Sequence, residues 1–312
     1  MSNKPTLYMY CGLPASGKTT HANRLAEDIG AKVVSSDALR AEWYGSEEIQ
    51  GNPAKIFAEI ERRCFNELNE GRSVIMDATN MNAGKRTNFL RKMPKDINSV
   101  CCVMATPFAD CVARDKMRSR SVGEEVIAKM RSNFQMPNYN EGWTEIWVYY
   151  PPNANYTDDE ERYHEEMVFD QKNHHHTLTL GEHEDKAFEI AMREGYHDWV
   201  WMATQYHDCG KLFCQTFNDK GTDAHYYGHE YVSAYEYLTA TKTKLDWDFG
   251  DKEKVINVAS LITWHMIPYQ FHGFPTADKQ QDKVSEWCHG HGFSSVFAEC
   301  LWQLHVCDLL AH

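Results

Sequence analysis

The sequence predicts two domains of different class, an N-terminal α/β domain built on a parallel sheet and a C-terminal all-α domain. Three observations predict this. Strand-like and helix-like patterns alternate over the first 150 residues, and the alternation stops at a stretch rich in Pro and Asn. Charge and histidine are divided unevenly about the same point. At 312 residues the chain is long enough for two cores of ordinary size.

The elements follow in order. Thr6–Cys11 is a short apolar strand, and Gly12–Thr20 is a Gly-containing loop that leads into a helix running to about Gly30. Lys32–Ser36 is a second strand, Ile56–Asn69 a helix, Ser73–Asp77 a third strand and Ser99–Ala105 a fourth. This βαβα order predicts a parallel sheet covered by helices. From Asp110 to Met136 the pattern is helical and rich in Arg and Lys. Pro151, Pro152, Asn153 and Asn155 then break any regular element, and the acidic run Asp158–Glu161 follows. The expected organisation is a domain over 1–150, a linker over 151–171 and a domain over 172–312. Beyond the break the 3.6-residue apolar period predicts helices at Glu182–Glu194, Trp199–Tyr206, Glu230–Ala240, Lys254–His265 and Ser295–Leu310.

Composition narrows the functional classes. The chain is 42% hydrophobic and 25% charged, which is globular. No apolar run reaches the roughly 18 residues of a membrane span, and the start of the chain has no secretory pattern. The 10 Cys have no regular spacing and no CxxC pair, which reads as reduced, buried thiols in a cytoplasmic protein. Residues 1–150 hold 20 Lys and Arg against 18 Asp and Glu, a net of +2, while residues 151–312 hold 12 against 27, a net of −15. His21 is the only histidine before residue 160, and the other 15 follow. Such an acidic chain is not built for sequence-blind duplex binding through many phosphate contacts, although it allows a local basic groove in the first half.

The most informative motif is Gly12-Leu-Pro-Ala-Ser16-Gly17-Lys18-Thr19-Thr20, which fits G-x-x-x-x-G-K-[ST] between a predicted strand and helix. Glycines there let backbone N–H groups turn onto phosphate oxygens at a positive helix N-terminus. Lys18 would reach the β- and γ-phosphates of ATP or another NTP, and Thr19 would hold Mg²⁺. Asp37 and Arg40 follow the second strand. One reading makes Asp37 the base that takes a proton from an attacking hydroxyl and Arg40 a fork for substrate phosphate. The other makes Asp37 a helix cap and Arg40 a solvated side chain. Asp77 ends the third strand, where an acid supports Mg²⁺ through water. Arg114, Arg118 and Arg120 lie on the basic stretch, as a lid presenting charge to the transferring phosphoryl or as a solvated face.

Together GLPASGKTT, SDALR, VIMDATN with Asn80, and the run RDKMRSR resemble the polynucleotide 5′-kinase family over about residues 6–150. The resemblance implies a P-loop kinase fold, with Asp37 as general base on a 5′-OH, Arg40 and Asn80 as substrate contacts, and Arg118 as the lid arginine. The chain departs from some members in having Ala78 where they place a substrate-contacting Asp.

The second half gathers metal-binding residue types. His207-Asp208 precedes Cys209-Gly210-Lys211, with His183 on the helix before, His229 starting the next, His265 ending the one after, and Asp308 on the last. Gly210 is the expected helix ending that turns His207 and Asp208 together. Imidazole with carboxylate suits Mn²⁺, Co²⁺, Ni²⁺, Fe or Zn²⁺, and not Ca²⁺, and such an ion would supply hydroxide for attack on phosphorus. Taken singly, a helical His is more often a core or surface residue than a ligand. LGEHEDKA, HDCGK and CDLLA resemble the HD phosphohydrolase superfamily over about 172–312. The resemblance implies His183, His207, Asp208 and Asp308 as the basic metal set, His229 and His265 as ligands to a second ion, and Lys211 as a substrate-phosphate lysine. His176, His225, His272, His289 and His291 carry less weight, and His305, three residues from Asp308, fits an outer contact.

The pairing resembles bifunctional end-healing enzymes that phosphorylate a 5′-OH and remove a 3′-phosphate or 2′,3′-cyclic phosphate. It implies RNA or DNA ends as substrate (single strands or nicks, RNA favoured), a nucleic-acid ligase as a possible partner, and no membrane. Two alternatives stay open: a metabolite or nucleoside kinase fused to a nucleotidase, which the −15 charge favours by repelling polynucleotide, and a non-catalytic nucleotide-gated sensor.

Overall fold

The computed structural model describes residues 4–156, 159–172, 177–219, 221–245 and 252–312. The chain divides into two compact units. One is built from residues up to Met130 together with Pro137–Ala154, the other from Arg131–Met136 together with Asn155–His312.

The first unit runs β1 (Thr6–Cys11), α1 (Lys18–Ile29), β2 (Lys32–Ser35), α2 (Ser36–Tyr44), α3 (Pro53–Asn69), β3 (Val74–Asp77), α4 (Ala83–Lys92), β4 (Asn98–Met104), α5 (Phe108–Lys116), α6 (Glu124–Arg131) and β5 (Glu145–Tyr149). Among the described residues its strands form one parallel sheet in the order β2-β3-β1-β4-β5. β3 and most of β4 are buried along their length, because helices cover both faces of a parallel sheet. Cys101 and Cys102 are adjacent in β4 and both fully buried. Asn52 caps α3 through Lys55 N, with Pro53 in the first turn, and Asn82 caps α4 through Lys85 N. Arg86 and Glu141 form an ion pair inside this unit, both almost wholly buried, with Arg86 Nη1 also donating to Asn80 O and Trp143 Nε1 to Glu141.

Several expectations need correction here. β2 ends at Ser35, one residue before the expected end, and the Ser35 hydroxyl accepts from Asp37 N and caps α2, so Asp37 lies in the first turn of α2 and is not itself the cap. Residues 110–136 are not one helix. The chain leaves helix between Lys116 and Glu124, where buried Asp115 accepts hydrogen bonds from Ser121 Oγ at 2.6 Å, Val122 N at 2.9 Å and Gly123 N at 3.0 Å. α4 and β5 carry too short a pattern to stand out in the sequence.

The second unit comprises α7 (Asp159–Val168), α8 (Leu180–Arg193), α9 (Asp198–Thr204), α10 (Lys211–Cys214), β6 (Thr216–Phe217), β7 (Ala224–His225), α11 (His229–Leu245), α12 (Lys252–Trp264), α13 (Ala277–Gly290) and α14 (Ser295–Leu310). α7 lies within the stretch 151–171 expected to be a linker, and it packs on α8. β6 and β7 pair as a short antiparallel hairpin that the sequence did not reveal, and α13 was likewise missed. Every residue of Val255–Thr263 is buried, so over that stretch α12 is a central helix with no solvent face. Thr179 and Glu182 form a reciprocal capping box that fixes the start of α8. No helix among the described residues is long and apolar enough to cross a membrane.

Candidate phosphate cleft and metal centre

In the first unit, the loop between β1 and α1 opens on a cavity of about 930 Å³. Ser16, Gly17, Lys18, Thr19 and Thr20 line it. Gly17 has φ of +96°, a conformation that L side chains rarely adopt. Lys18 is buried and folds back on its own loop, donating to Gly12 O at 3.1 Å and Leu13 O at 2.6 Å. Burial holds its ammonium below the usual lysine range, opposed by the nearby Asp77 carboxylate. Thr19 Oγ1 donates to Asp77 Oδ2 at 2.7 Å, and burial lifts the Asp77 carboxyl above its ordinary range. This hydroxyl and carboxylate fit Mg²⁺, because both present oxygen to the cavity from separate elements.

Asp37 and Arg40 both line the cavity and pair with each other at 2.6 Å. The stretch between α5 and α6, expected to act as a lid, brings Arg120 within 3.6 Å of Asp37, while Arg118, also on the lining, lies 3.9 Å from Asp115. Arg120 is therefore the lid arginine nearest the expected base. Asn80, expected at the substrate, is not among the lining residues. Its amide donates to Tyr10 O at 2.7 Å and its φ is +44°, so it braces the turn after β3. His21, Arg24 and Tyr149 line the cavity too and were missed. Tyr149 ends β5, so recognising that strand would have found it.

In the second unit, ligand atoms of His183, His207, Asp208 and Asp308 lie within 4.8 Å of one another, as do those of Asp208, His229 and His265. All are buried. Asp208 serves both groups. Its Oδ2 lies 3.5 Å from His183 Nε2 and 3.6 Å from His207 Nε2, and its Oδ1 lies 3.0 Å from His229 Nε2 and 3.7 Å from His265 Nε2. Asp308 Oδ1 is 3.2 Å from His183 Nε2 and 3.6 Å from His207 Nε2.

One local device aims three of these rings. His207, His229 and His265 each set Nδ1 against the carbonyl three residues earlier, of Thr204 at 3.0 Å, Tyr226 at 2.8 Å and Ile262 at 2.7 Å. With Nδ1–H donating, a neutral ring turns its Nε2 lone pair inward. The Nε2 atoms of His229 and His265 then face each other at 3.2 Å, acceptor to acceptor, beside a carboxylate. That contact is repulsive unless a cation lies among them, so the donor set fits a metal. Burial opposes charge on His183, but Asp208 and Asp308 outweigh it and raise its pKa to about 9. Burial also opposes charge on Asp208 and Asp308, yet their partners hold both carboxyls well below the usual range. Lys211 Nζ sits 2.6 Å from Asp208 Oδ2 and donates to Gln171 at 2.9 Å.

Gly210 does not end a helix by a left-handed turn. α9 stops at Thr204, and Gly210 is needed because a Cβ there would lie 2.3 Å from His229 O. This contact seats His207 and Asp208 against α11. Missed residues include Glu184, which accepts from Asp208 N at 3.3 Å, and Tyr269, whose hydroxyl donates to Asp308 Oδ2 at 2.6 Å. His305 packs its ring on Tyr269, and burial holds its pKa down at about 4. His225 stacks on Tyr227, His291 on Trp287, His289 meets Ser295 and His272 meets His305, and none of the five belongs to either ligand group. His176 lies outside the described residues.

Residues 7–137 match a family described as an AAA domain. Solved structures with a similar fold include a chain of the Pnkp1/Rnl/Hen1 RNA repair complex, at 19% identity over 43% of this chain and 45% of that one, TM-score 0.39. A gluconokinase from Sinorhizobium meliloti 1021 is similar at 15% identity over 49% and 86%, TM-score 0.37. The shikimate kinase from Acinetobacter baumannii is similar at 20% identity over 46% and 83%, TM-score 0.32. These likenesses concern the fold alone, and the chain spans less than half the length of the RNA-repair chain it matches. No curated protein matches the sequence. The N-terminal unit is an α/β P-loop domain with a parallel sheet, followed by a helical region that holds a buried His/Asp cluster.

Proposed function

We propose that this protein heals nucleic-acid ends, phosphorylating a 5′-OH with ATP or another NTP in its first unit and removing a 3′-phosphate or 2′,3′-cyclic phosphate in its second. The observation that supports this is the presence, in one chain, of a cavity lined by the Gly17-Lys18-Thr19 loop and a buried His/Asp cluster, each within its own unit. We read residues 172–312 as an HD phosphohydrolase domain, RNA as the favoured substrate, and a ligase as the enzyme that seals the products.

In the kinase reaction Asp37 takes the proton of the attacking hydroxyl as its oxygen bonds to the γ-phosphorus and the nucleoside diphosphate leaves. Lys18 and the lid arginines neutralise the equatorial oxygens. Thr19 and Asp77 would hold Mg²⁺, which supplies charge neutralisation at the β- and γ-phosphates. In the second unit His183, His207, Asp208 and Asp308 would hold one cation, and Asp208, His229 and His265 another. Bound there, such ions supply Lewis acidity and an activated water for attack on a phosphate ester. Lys211, now 2.6 Å from Asp208 Oδ2, would turn to a phosphate oxygen of the substrate.

The test is an RNA with 5′-OH and 2′,3′-cyclic phosphate ends, given to wild type, Asp37→Ala and Asp208→Ala. The first variant should keep 3′ processing and the second 5′ labelling. Loss of both activities in either variant would count against independent sites. A metabolite kinase with a nucleotidase remains the second reading, favoured by the −15 charge of residues 151–312. Transfer of label from ATP to free nucleosides, with none to an oligonucleotide, would select it.

A further inference from the structure

We propose that Tyr269 is a positioning residue that limits Asp308 to offering one oxygen to a cation, and this rests on the metal-centre reading above. The two carboxylates of the cluster differ in how their oxygens are used. Asp208 turns Oδ2 toward His183 and His207, where Lys211 also meets it at 2.6 Å, and Oδ1 toward His229 and His265, so both of its oxygens face imidazole nitrogens. Asp308 turns only Oδ1 toward His183 and His207. Its Oδ2 is taken by the Tyr269 hydroxyl at 2.6 Å.

The geometry of Tyr269 is fixed from several sides. It lies on a single 3₁₀ turn, Pro268–Phe271, that begins with a buried proline shortly after His265. The His305 ring meets it edge to face at a centroid distance of 4.6 Å, and His272 lies at 4.8 Å. A carboxylate whose second oxygen is held by a rigid donor binds through the first alone, and the coordination position it does not occupy stays available to water or substrate. Without the hydroxyl, Oδ2 is free to swing toward the ion.

The experiment is Co²⁺ titration of the full chain as wild type, Tyr269→Phe and Asp208→Ala. It reads bound Co²⁺, visible absorption per bound ion, and turnover of a chromogenic phosphodiester. Tyr269→Phe should bind as much Co²⁺ as wild type, with a weaker visible band per ion because a second carboxylate oxygen raises the coordination number. Its turnover should fall by about 10–100-fold, the usual effect of losing an outer partner of a metal ligand. A band per ion identical to wild type, with full or reduced Co²⁺ content, overturns the role of Tyr269 and leaves the metal centre standing. If wild type binds no more Co²⁺ than Asp208→Ala, the metal-centre reading fails and this inference falls with it.

Discussion

The two units assemble their candidate sites in opposite ways. In the first, one loop of contiguous residues supplies the Gly17 turn, the Lys18 ammonium and the Thr19 hydroxyl, and the sheet edge adds Asp77. Much of that site is backbone, so its geometry follows from local conformation. In the second, four stretches add buried side chains around the His207-Asp208 pair, and no two of the other ligands are sequence neighbours. A cleft made of backbone tolerates change around it, whereas a centre made of side chains depends on every helix that carries one.

The strongest test of this contrast is to break each site separately. Lys18→Ala should lower 5′ phosphorylation by about 10²–10³-fold, the range for removing one donor to a developing charge, and leave phosphate removal intact. Asp208→Ala should do the reverse, with loss of bound metal followed by elemental analysis. A Lys18 variant that loses metal from the second unit would end the separation.

Stability should divide in the same way. Glu141→Ala strands the Arg86 guanidinium inside the first unit. The expected cost is about 3–5 kcal/mol, confined to one of two urea transitions. A shift of the transition assigned to the helical unit would show that the two do not unfold independently.

A finer comparison lies between the arginines of the stretch joining α5 and α6. Arg120 lies nearer Asp37 than Arg118 does, so Arg120→Ala should cost about 10²-fold in 5′ phosphorylation and Arg118→Ala less. The opposite order would restore the arginine that the family resemblance implies.

The smallest effect concerns Asp115, which accepts the hydrogen bonds of that stretch. Burial opposes charge on Asp115, but Ser121, Gly123 and Val122 donate to it and hold its pKa below the ordinary 3.8. A depressed carboxylate stabilises the fold fully above 3.8 and stops doing so as pH falls through its folded value. Asp115→Asn should therefore cost about 1–2 kcal/mol at neutral pH, and the gap to wild type should close in acid. A gap that persists there would assign the loss to packing.

Legibility differed between the units for the same reason. Strands β1 to β4 and the phosphate loop follow from short-range pattern, since burial on both faces leaves apolar runs and the turn needs its glycines. Strand β5 escaped because Glu145–Tyr149 reads like any short aromatic run until β4 pairs with it. Asn80 was assigned to substrate because its motif context is visible and its bond to Tyr10 O is not. Tyr269 and Glu184 carry no motif, and only the approach of their elements to Asp308 and Asp208 gives them a role.

By itself the sequence determined the class of each half, the phosphate loop, and which residue types a metal would find in the tail, because these depend on periodicity, local turn chemistry and side-chain identity. Tertiary structure alone decided that Asp208 faces two groups of imidazoles, that Gly210 must lack a side chain, and that Arg120 outreaches Arg118. Each of these is a distance between atoms on different elements, and such distances are set by how the helices pack.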